Sequence, residues 1–130
     1  MKEIKFCICS KSQKREDIGA SKWYRNYKEA LEKSQADLVY ISLPNFLHYY
    51  WAKKFLQNNY HVIVDKPATL SFKQAKNLVK FARKKKRLLS EAIVFHHHYQ
   101  IDKSIKEIKS LKNLIHVHAK FVIPRLPKKN

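Results

Sequence analysis

A short set of mostly polar residues closes or directly follows two apolar runs, at 38–42 and 61–64. They are Ser42, Leu43, Pro44, Asn45 and His48 at the first run, and Asp65, Lys66 and Pro67 at the second. A lysine held between a buried strand and a proline is a rigidly placed cation. If it is also partly withdrawn from water, it is suited to proton transfer. A solvated surface lysine beside a helix start is the other interpretation of Lys66, and the pattern leaves both open.

The two apolar runs and the segment between them predict a strand, a helix and a second strand. Both runs are almost continuously apolar, which is typical of strands covered on both faces. Between them, apolar residues recur at spacings of three and four, and Asn45 is predicted to cap this helix. Ser71 is predicted to cap the helix after the second strand.

The remaining periodicity continues the alternation of strands and helices. We expect strands at 4–8, 88–95 and 114–123, and helices at 27–33 and 101–108. This order predicts an α/β fold with a parallel sheet and right-handed crossovers. Ligands bind at the carboxyl ends of the strands in such sheets, so the polar residues named above should share one rim.

The last predicted strand, 114–123, differs from the others because polar and apolar residues alternate along it. That pattern is typical of a half-exposed antiparallel strand. We therefore predict two domains, 1–95 and 96–130. A long exposed strand is an edge that pairs readily with another chain, so an oligomer built through 114–123 is one possible arrangement.

The charge of the chain is unusual for its size. Its 130 residues fit a domain of ordinary length, but 28 Lys and Arg against 10 Asp and Glu give a net charge of +18. Such a field attracts polyanions, whether nucleic acid, acidic lipid or phosphorylated metabolites. The alternative is that lysine simply fills surface positions, and composition does not decide between the two.

Cysteine and glycine usage exclude several classes of site. Cys7 and Cys9 alternate within an apolar run, and same-face neighbours on one strand are poorly placed for a disulfide, so we expect free thiols in a reducing compartment. We find no secretory signal or membrane-spanning run and expect a cytoplasmic protein. Gly19 is the only glycine, so neither G-x-G-x-x-G nor a Walker loop occurs in these 130 residues.

The two rim segments together resemble a known family of oxidoreductases. Residues 37–48 read D-x-V-x-I-S-x-P-N-x-x-H, and residues 61–67 read H-V-I-x-D-K-P. This order and spacing resemble the glucose–fructose oxidoreductase / inositol dehydrogenase (Gfo/Idh/MocA) family. The resemblance extends over nearly the whole chain, with 91–100 similar to the passage from the nucleotide domain into the substrate domain.

The resemblance implies a Rossmann-like domain with helices on both faces and an NAD(P)-dependent reaction. Hydride would move between nicotinamide and a sugar hydroxyl or ketone carbon, and members acting on nucleotide-linked keto sugars are the most similar in character. The main chain of 42–45 and the side chain of His48 would line the dinucleotide site, together with Asp65, Lys66, Pro67 and Glu91. Lys66 would assist proton transfer, with Asp65 in place of the more common glutamate.

The segment after the first predicted strand bears on the choice between NAD and NADP. NAD-binding proteins carry an acidic residue at the corresponding strand end. This chain has hydroxyls and cations there instead, with no acid before Glu16. Ser10, Lys11 and Arg15 are therefore predicted to favour the 2′-phosphate of NADP, although they could also be ordinary exposed loop residues.

Two departures from the family pattern limit what this chain can do alone. Members begin with a strand, a G-x-G-x-x-G turn and a helix, and they continue into a large substrate domain with a catalytic His or Asp. This chain begins at what resembles the second strand and ends within the first helix and strand of the substrate domain. We therefore expect a piece of such an enzyme, and a non-catalytic remnant or scaffold subunit is the alternative.

Two further patterns point weakly to other functions. The basic run at 83–87 follows a helix with more lysines, but its aromatic neighbours lie on the apolar side, so we expect no sequence-specific nucleic-acid binding. A basic polyanion-binding protein remains the alternative. His96, His97 and His98, with His116 and His118, could offer metal ligands if they lay on strands. H-x-H is unspecific, and we expect no metal.

Overall fold

The computed structural model describes residues 5–10, 19–113, 116–118, 120 and 122. The chain divides into one unit that ends at Ile93 and a second that begins at Val94. The predicted domain limits, 1–95 and 96–130, stay a prediction.

The first unit alternates strands and helices. Its strands are β1 (Cys7–Cys9), β2 (Lys22–Tyr24), β3 (Leu38–Ile41), β4 (His61–Asp65) and β5 (Leu89–Ala92). Its helices are α1 (Tyr27–Lys33), α2 (Asn45–Gln57) and α3 (Phe72–Lys85). The strand predicted over 4–8 overlaps β1, which begins later and extends to Cys9. β2 has no counterpart in the sequence-based expectation, because its three residues do not belong to a longer apolar run.

All strand pairings of the first unit are parallel. β1 pairs with β2, and β3, β4 and β5 form a second sheet with β4 in the centre. In register, Val39 lies opposite Val62 and Ile41 opposite Val64. The predicted Rossmann-like α/β fold with parallel strands is therefore confirmed.

Two helix starts show where local sequence rules hold and where they fail. Ser71 caps α3 as predicted, since its Oγ accepts a 3.3 Å hydrogen bond from the main-chain N–H of Gln74. The prediction that Asn45 caps α2 is wrong. Pro44 is the capping residue, without a side-chain bond, and Asn45 is already the first helical residue. Proline just before the helix sets the backbone turn by its fixed φ and moves the start by one residue.

The core of the first unit lies between the second sheet and the helices α2 and α3. Val62 and Val64 of β4 are fully buried and pack with Leu56 of α2 and Leu78 of α3. Tyr60 extends this core towards α1, because its Oη donates a 2.8 Å hydrogen bond to the carbonyl of Leu31. Burial of these apolar side chains is the main stabilising contribution to the unit.

The second unit begins with a 3₁₀ turn, Val94–His97, followed by helix α4, Tyr99–Ser110. The strand predicted over 88–95 is therefore too long at its carboxyl end, because β5 ends at Ala92. The helix predicted over 101–108 is confirmed within α4. Half of the strand predicted over 114–123 lies outside the described residues, and 116–118, 120 and 122 have no regular secondary structure.

Cys7 and Cys9 are both free thiols. Partial burial, with a smaller contribution from the charge of Glu29, raises the pKa of the Cys9 thiol, so it is protonated at neutral pH. In the described parts of the chain, no helix is both long and apolar enough to span a bilayer.

Candidate functional site

The carboxyl ends of β3 and β4 lie side by side and present the predicted rim. The last pair in register is Ile41 with Val64, so the segments that follow both strands leave the sheet at the same level. Ser42, Pro44 and Asn45 are exposed after β3, and Lys66 and Pro67 are exposed after β4. The structure therefore brings together the two segments that the sequence analysis placed at one edge.

His48 connects the two rim segments from inside the protein. Its side chain is fully buried. Its Nε2 lies 2.6 Å from the carbonyl oxygen of Leu43, and its Nδ1 lies 2.8 Å from the carbonyl oxygen of Pro67. A carbonyl oxygen only accepts hydrogen bonds, and which of the two ring nitrogens donates depends on the tautomer. The ring thus holds the main chain after β3 against the main chain after β4.

Asp65 is held at the end of β4 by a tyrosine of the neighbouring strand. The Oη of Tyr40 donates a 2.5 Å hydrogen bond to Oδ1 of Asp65. This bond, followed by one from Ser42, lowers the pKa of the Asp65 carboxyl, and the same bond raises the pKa of Tyr40. The carboxylate is therefore ionised and oriented at neutral pH.

Lys66 projects from the same turn into solvent. Its side chain is exposed, and the peptide bond to Pro67 is cis. Of the two interpretations of Lys66 left open by the sequence, the exposed position agrees with a solvated lysine in this structure. Its predicted part in proton transfer is not tested by this and stays a prediction.

Glu91 ties the third strand end to the rim. Its Oε1 accepts a 2.7 Å hydrogen bond from the main-chain N–H of Ala68, directly after the cis proline. Glu91 therefore lies beside the turn formed by Asp65, Lys66 and Pro67. Its predicted contact with a cofactor stays a prediction, and its observed contact is with the protein's own main chain.

The predicted 2′-phosphate residues fall mostly outside the described part of the chain. Ser10 follows β1, and its main-chain N–H donates a 3.0 Å hydrogen bond to the carbonyl of Tyr24. Lys11 and Arg15 lie outside the described residues. Their role in choosing between NADP and NAD stays a prediction.

Sequence reasoning missed two members of the site, Tyr40 and Ala68. Tyr40 belongs to the apolar run of β3, and its hydroxyl near the carboxyl end of that run was the available signal. Ala68 contributes only a main-chain N–H, for which the sequence holds no signal. Both contacts depend on which strands are neighbours.

The residues present fit one part of a dinucleotide. The exposed rim of Ser42, Asn45 and Lys66 offers hydroxyl, amide and ammonium groups at the carboxyl ends of parallel strands, where such cofactors bind. A glycine-rich turn for the pyrophosphate has no counterpart in the sequence. Gly19, the only glycine, has a φ of +65° and follows residues outside the described set. Among described residues, no group of three or more His, Cys, Asp or Glu side chains could hold a metal ion.

A comparison with known proteins gives the family. Residues 6–93 match the sequence profile of the GFO_IDH_MocA oxidoreductase family, described as having an NAD-binding Rossmann fold. The chain belongs to the Gfo/Idh/MocA family. The match covers β1 to β5 and both rim segments, so the Gfo/Idh/MocA resemblance inferred from the motifs is confirmed.

Curated relatives include enzymes named for nucleotide-linked sugars. The chain is 34% identical over 103 residues to a dTDP-3,4-didehydro-2,6-dideoxy-alpha-D-glucose 3-reductase from Saccharopolyspora spinosa. It is 36% identical over 109 residues to an enzyme of the same name from Actinomadura kijaniata. In each case the match covers 78% of this Gfo/Idh/MocA chain and 31% of the relative, so the chain spans about a third of the length of these relatives.

Solved structures of the same family share the fold. The crystal structure of KijD10, a 3-ketoreductase from Actinomadura kijaniata, contains NADP and TDP-benzene and matches with a TM-score of 0.75 at 31% identity. That match covers 81% of this chain and 34% of KijD10. A crystal structure of an oxidoreductase from Klebsiella pneumoniae, matched over 78% of this chain, has a TM-score of 0.69 at 29% identity.

Proposed function

We propose that this chain forms the nicotinamide-side part of the NAD(P) site of an oxidoreductase acting on a nucleotide-linked sugar. The bound cofactor would exchange hydride with a sugar hydroxyl or ketone carbon. The observation that carries the proposal is the pair of hydrogen-bond contacts from buried His48 to the carbonyl groups of Leu43 and Pro67, at 2.6 and 2.8 Å. They hold two family motifs at one rim, where a parallel α/β sheet binds its ligands.

In this proposal each rim residue has a distinct part. Lys66, exposed next to the rim, donates a proton to the sugar oxygen during reduction and accepts it during oxidation. Asp65 is oriented by the hydrogen bond from the Tyr40 hydroxyl, and its carboxylate places a negative charge beside that ammonium group. Ser42 and Asn45 offer polar groups to the cofactor from the neighbouring segment.

We further propose NADP as the preferred cofactor and a nucleotide-linked keto sugar as the substrate class. The first proposal is supported by the hydroxyl and basic residues of 10–15 and by the NADP bound in the KijD10 crystal structures. The second is supported by the names of the relatives, several of which are dTDP-sugar 3-reductases.

The test is an NMR titration of the ¹⁵N-labelled chain with NADPH. We expect shift changes at the amides of 42–45 and 65–68, and we expect inorganic pyrophosphate not to reproduce them. The Lys66→Ala variant should weaken these changes, whereas Lys73→Ala, which removes an exposed lysine of α3, should leave them unchanged. Absence of rim shifts at about 1 mM NADPH, the upper end of usual Michaelis constants, would reject the proposed site.

The same titration separates the proposal from the two alternatives. Exposed lysines at 73, 76, 80 and 84 lie on α3, and a polyanion-binding protein would show shifts there with any phosphate compound. Such binding should weaken steeply with salt. A scaffold that assembles through 114–123 would show neither response, and it would sediment as an oligomer without added ligand.

A further inference from the structure

The two helices that cover the second sheet carry charge of one sign only. Residues 38–90 hold eleven Lys and Arg but one acidic residue, Asp65, which lies on β4. α2 and α3 themselves contain no acidic residue. They pack side by side, and Nδ2 of Asn77 on α3 donates a 2.8 Å hydrogen bond to Oη of Tyr49 on α2. The side of this helix pair that faces away from the sheet therefore carries a positive field.

The other described helices show that lysine does not simply fill every exposed position. α1 carries both signs, and its Lys33 forms a 3.2 Å ion pair with Glu29. α4 likewise carries Asp102 and Glu107 among its lysines. Protein surfaces usually mix the two signs, and a large field of one sign attracts a partner of the opposite sign. The surface of α2 and α3 therefore indicates an anionic partner.

The cations of α3 form a lysine stripe along its exposed side. Four exposed lysines follow one another at spacings of three and four, namely Lys73, Lys76, Lys80 and Lys84. Residues at these spacings lie on one face of a helix. Leu78, on the opposite side of α3, is buried in the core. A partner can therefore contact the lysine stripe without disturbing the packing of the helix.

Phe72 is an exposed aromatic residue beside the lysine stripe. It is the first residue of α3 and is 81% exposed, and Val79, two turns later on the same side, is also exposed. The sequence pattern placed this ring on the apolar side of the helix, and that prediction is wrong. Phe72 lies about a quarter of a turn from the buried Ala82 and further from Leu78, so it does not face the core.

More exposed apolar side chains lie at the same end of the helix pair. Phe46, in the first turn of α2, is 70% exposed, and Leu70, directly before α3, is exposed too. Both helices begin after the carboxyl ends of neighbouring parallel strands, so their first turns lie at one edge of the sheet. Apolar side chains flanked by lysines are typical of surfaces that lie in the interface of an anionic bilayer.

A single-stranded nucleic acid fits this surface less well, because its bases would need free aromatic faces for stacking. The Nζ of Lys53 lies 6.0 Å from the ring centre of Tyr49. The Nζ of Lys54 lies 5.8 Å from the ring centre of Tyr50. Both tyrosine rings of α2 thus already have a cation over one face. The aliphatic side chain of Val79 has no ring to stack on, whereas it can contact acyl chains.

We propose that Phe46, Leu70 and Phe72, together with the lysine stripe of α3, form a docking surface for anionic lipid. The ammonium groups contact the lipid headgroups, and the apolar side chains enter the boundary between headgroups and acyl chains. A second copy of this chain is not the occupant, because two such surfaces would repel each other. The contact is made at the membrane surface, and it goes beyond the proposed function.

The test is flotation of the full 130-residue chain with lipid vesicles. One set of vesicles is phosphatidylcholine alone, and the other contains about 30% phosphatidylserine as the anionic lipid. At an ionic strength of about 0.1 M, we expect a bound-to-free ratio about tenfold higher, or more, for the anionic vesicles. The ratio should fall steeply at about 0.5 M salt, because salt screens exposed charges.

Two variants test the two parts of the docking surface. The triple variant Lys73→Gln, Lys76→Gln and Lys80→Gln should lower the bound-to-free ratio about ten- to a hundredfold, because each cation near an anionic surface strengthens binding several-fold. Phe72→Ser keeps the charge and should lower the ratio about fivefold, because it removes an inserted side chain.

Matched controls come from the second unit. The triple variant Lys103→Gln, Lys106→Gln and Lys109→Gln removes the same charge from exposed positions of α4. Phe95→Ser removes an exposed phenylalanine of the 3₁₀ turn. The α4 variant should stay within about threefold of the parent ratio, since distant charges are screened. Phe95→Ser should leave the ratio unchanged.

Three results with vesicles would each overturn the inference: equal binding to both kinds of vesicle, equal losses in the α3 and α4 triple variants, or an unchanged ratio in Phe72→Ser. So would a single-stranded oligonucleotide that binds more tightly than the anionic vesicles at equal concentration of anionic groups, because nucleic acid would then be the occupant. Vesicle binding needs no NADPH, so its result does not depend on that of the cofactor titration.

Discussion

Tyr40 and Asp65, 25 positions apart in sequence, are joined by a 2.5 Å hydrogen bond from Oη to Oδ1. The bond connects a residue near the carboxyl end of β3 to the last residue of β4, directly before Lys66. It is the largest contribution to the lowered pKa of the Asp65 carboxyl. The orientation and the pKa of the carboxyl next to the proposed proton donor therefore depend on a residue of a different strand.

Replacement of Tyr40 by Phe should raise the pKa of Asp65 towards its ordinary value. Because the folded-state pKa of Asp65 is lowered, this carboxylate contributes stability above its unfolded-state pKa, and the contribution is lost as pH falls through the folded-state value. The variant should therefore lose stability relative to the parent at neutral pH, and the difference should shrink in acid. A ¹³C NMR titration of the carboxyl carbon measures the shift.

The matched control is Tyr99→Phe, which removes a hydroxyl from a tyrosine that is 76% exposed on α4. It should leave the titration of Asp65 unchanged. An Asp65 midpoint that is the same in Tyr40→Phe and in the parent would show that the hydroxyl does not set this pKa.

Replacement of His48 by Leu should destabilise the first unit strongly. Leucine fills a similar volume but removes the ring nitrogens that lie within hydrogen-bond distance of the carbonyl oxygens of Leu43 and Pro67. A buried polar group left without a partner costs about 1–3 kcal/mol. We expect a loss of about 2–4 kcal/mol in the free energy of unfolding, measured in urea by the fluorescence of Trp23 and Trp51.

His97→Leu is the control for this change, because His97 is an exposed histidine of the 3₁₀ turn. The free energy of unfolding of the His97→Leu variant should stay within about 0.5 kcal/mol of the parent value, as for ordinary surface substitutions. A His48→Leu variant as stable as His97→Leu would contradict the role assigned to the ring.

Replacement of Glu91 by Ala should loosen the turn after β4. The variant removes the acceptor that lies 2.7 Å from the N–H of Ala68. Hydrogen bonds to charged groups contribute about 1.5–3 kcal/mol, and the exposure of Glu91 to solvent reduces this contribution. We therefore expect hydrogen exchange of the Ala68 amide to accelerate about three- to tenfold. Hydrogen exchange by NMR measures the rate.

Two companion variants make this measurement specific. Glu91→Gln keeps an oxygen acceptor without the charge and should give an intermediate rate. Glu32→Ala removes an exposed carboxylate of α1 and should not affect Ala68. If Glu91→Ala and Glu32→Ala give the same Ala68 rate, the hydrogen bond does not restrain the turn.

Sequence reasoning located the rim because the rim depends on local patterns. The apolar runs that end near Ile41 and Val64, and the capping serine at position 71, are all visible within a few residues. β2 was missed because its three residues are flanked by polar ones, unlike the equally short β1 within its apolar run. β5 was made too long because Ile93 to Phe95 continue an apolar run after the strand ends.

The contacts that hold the site together are beyond such patterns. The bond from Tyr40 to Asp65 and the bond from Ala68 to Glu91 join residues 25 and 23 positions apart. They depend on strand order and on register, and a shift of one residue would turn Tyr40 to the other face of the sheet. The burial of His48 likewise results from the packing of α2 and not from its position in the motif.

The end of α3 offers a stabilising change that tests the fold independently of function. Lys86 closes the helix in the left-handed conformation, with φ of 53° and ψ of 43°. This conformation costs a non-glycine residue roughly 1–2 kcal/mol, and glycine avoids that cost but loses more freedom on folding. Lys86→Gly should therefore raise the free energy of unfolding by about 0.5–1 kcal/mol in urea. The control is Lys80→Gly, which removes the same charge inside α3 and should lower the free energy of unfolding by about 1 kcal/mol. Equal destabilisation by the two variants would contradict the left-handed conformation at the end of the helix.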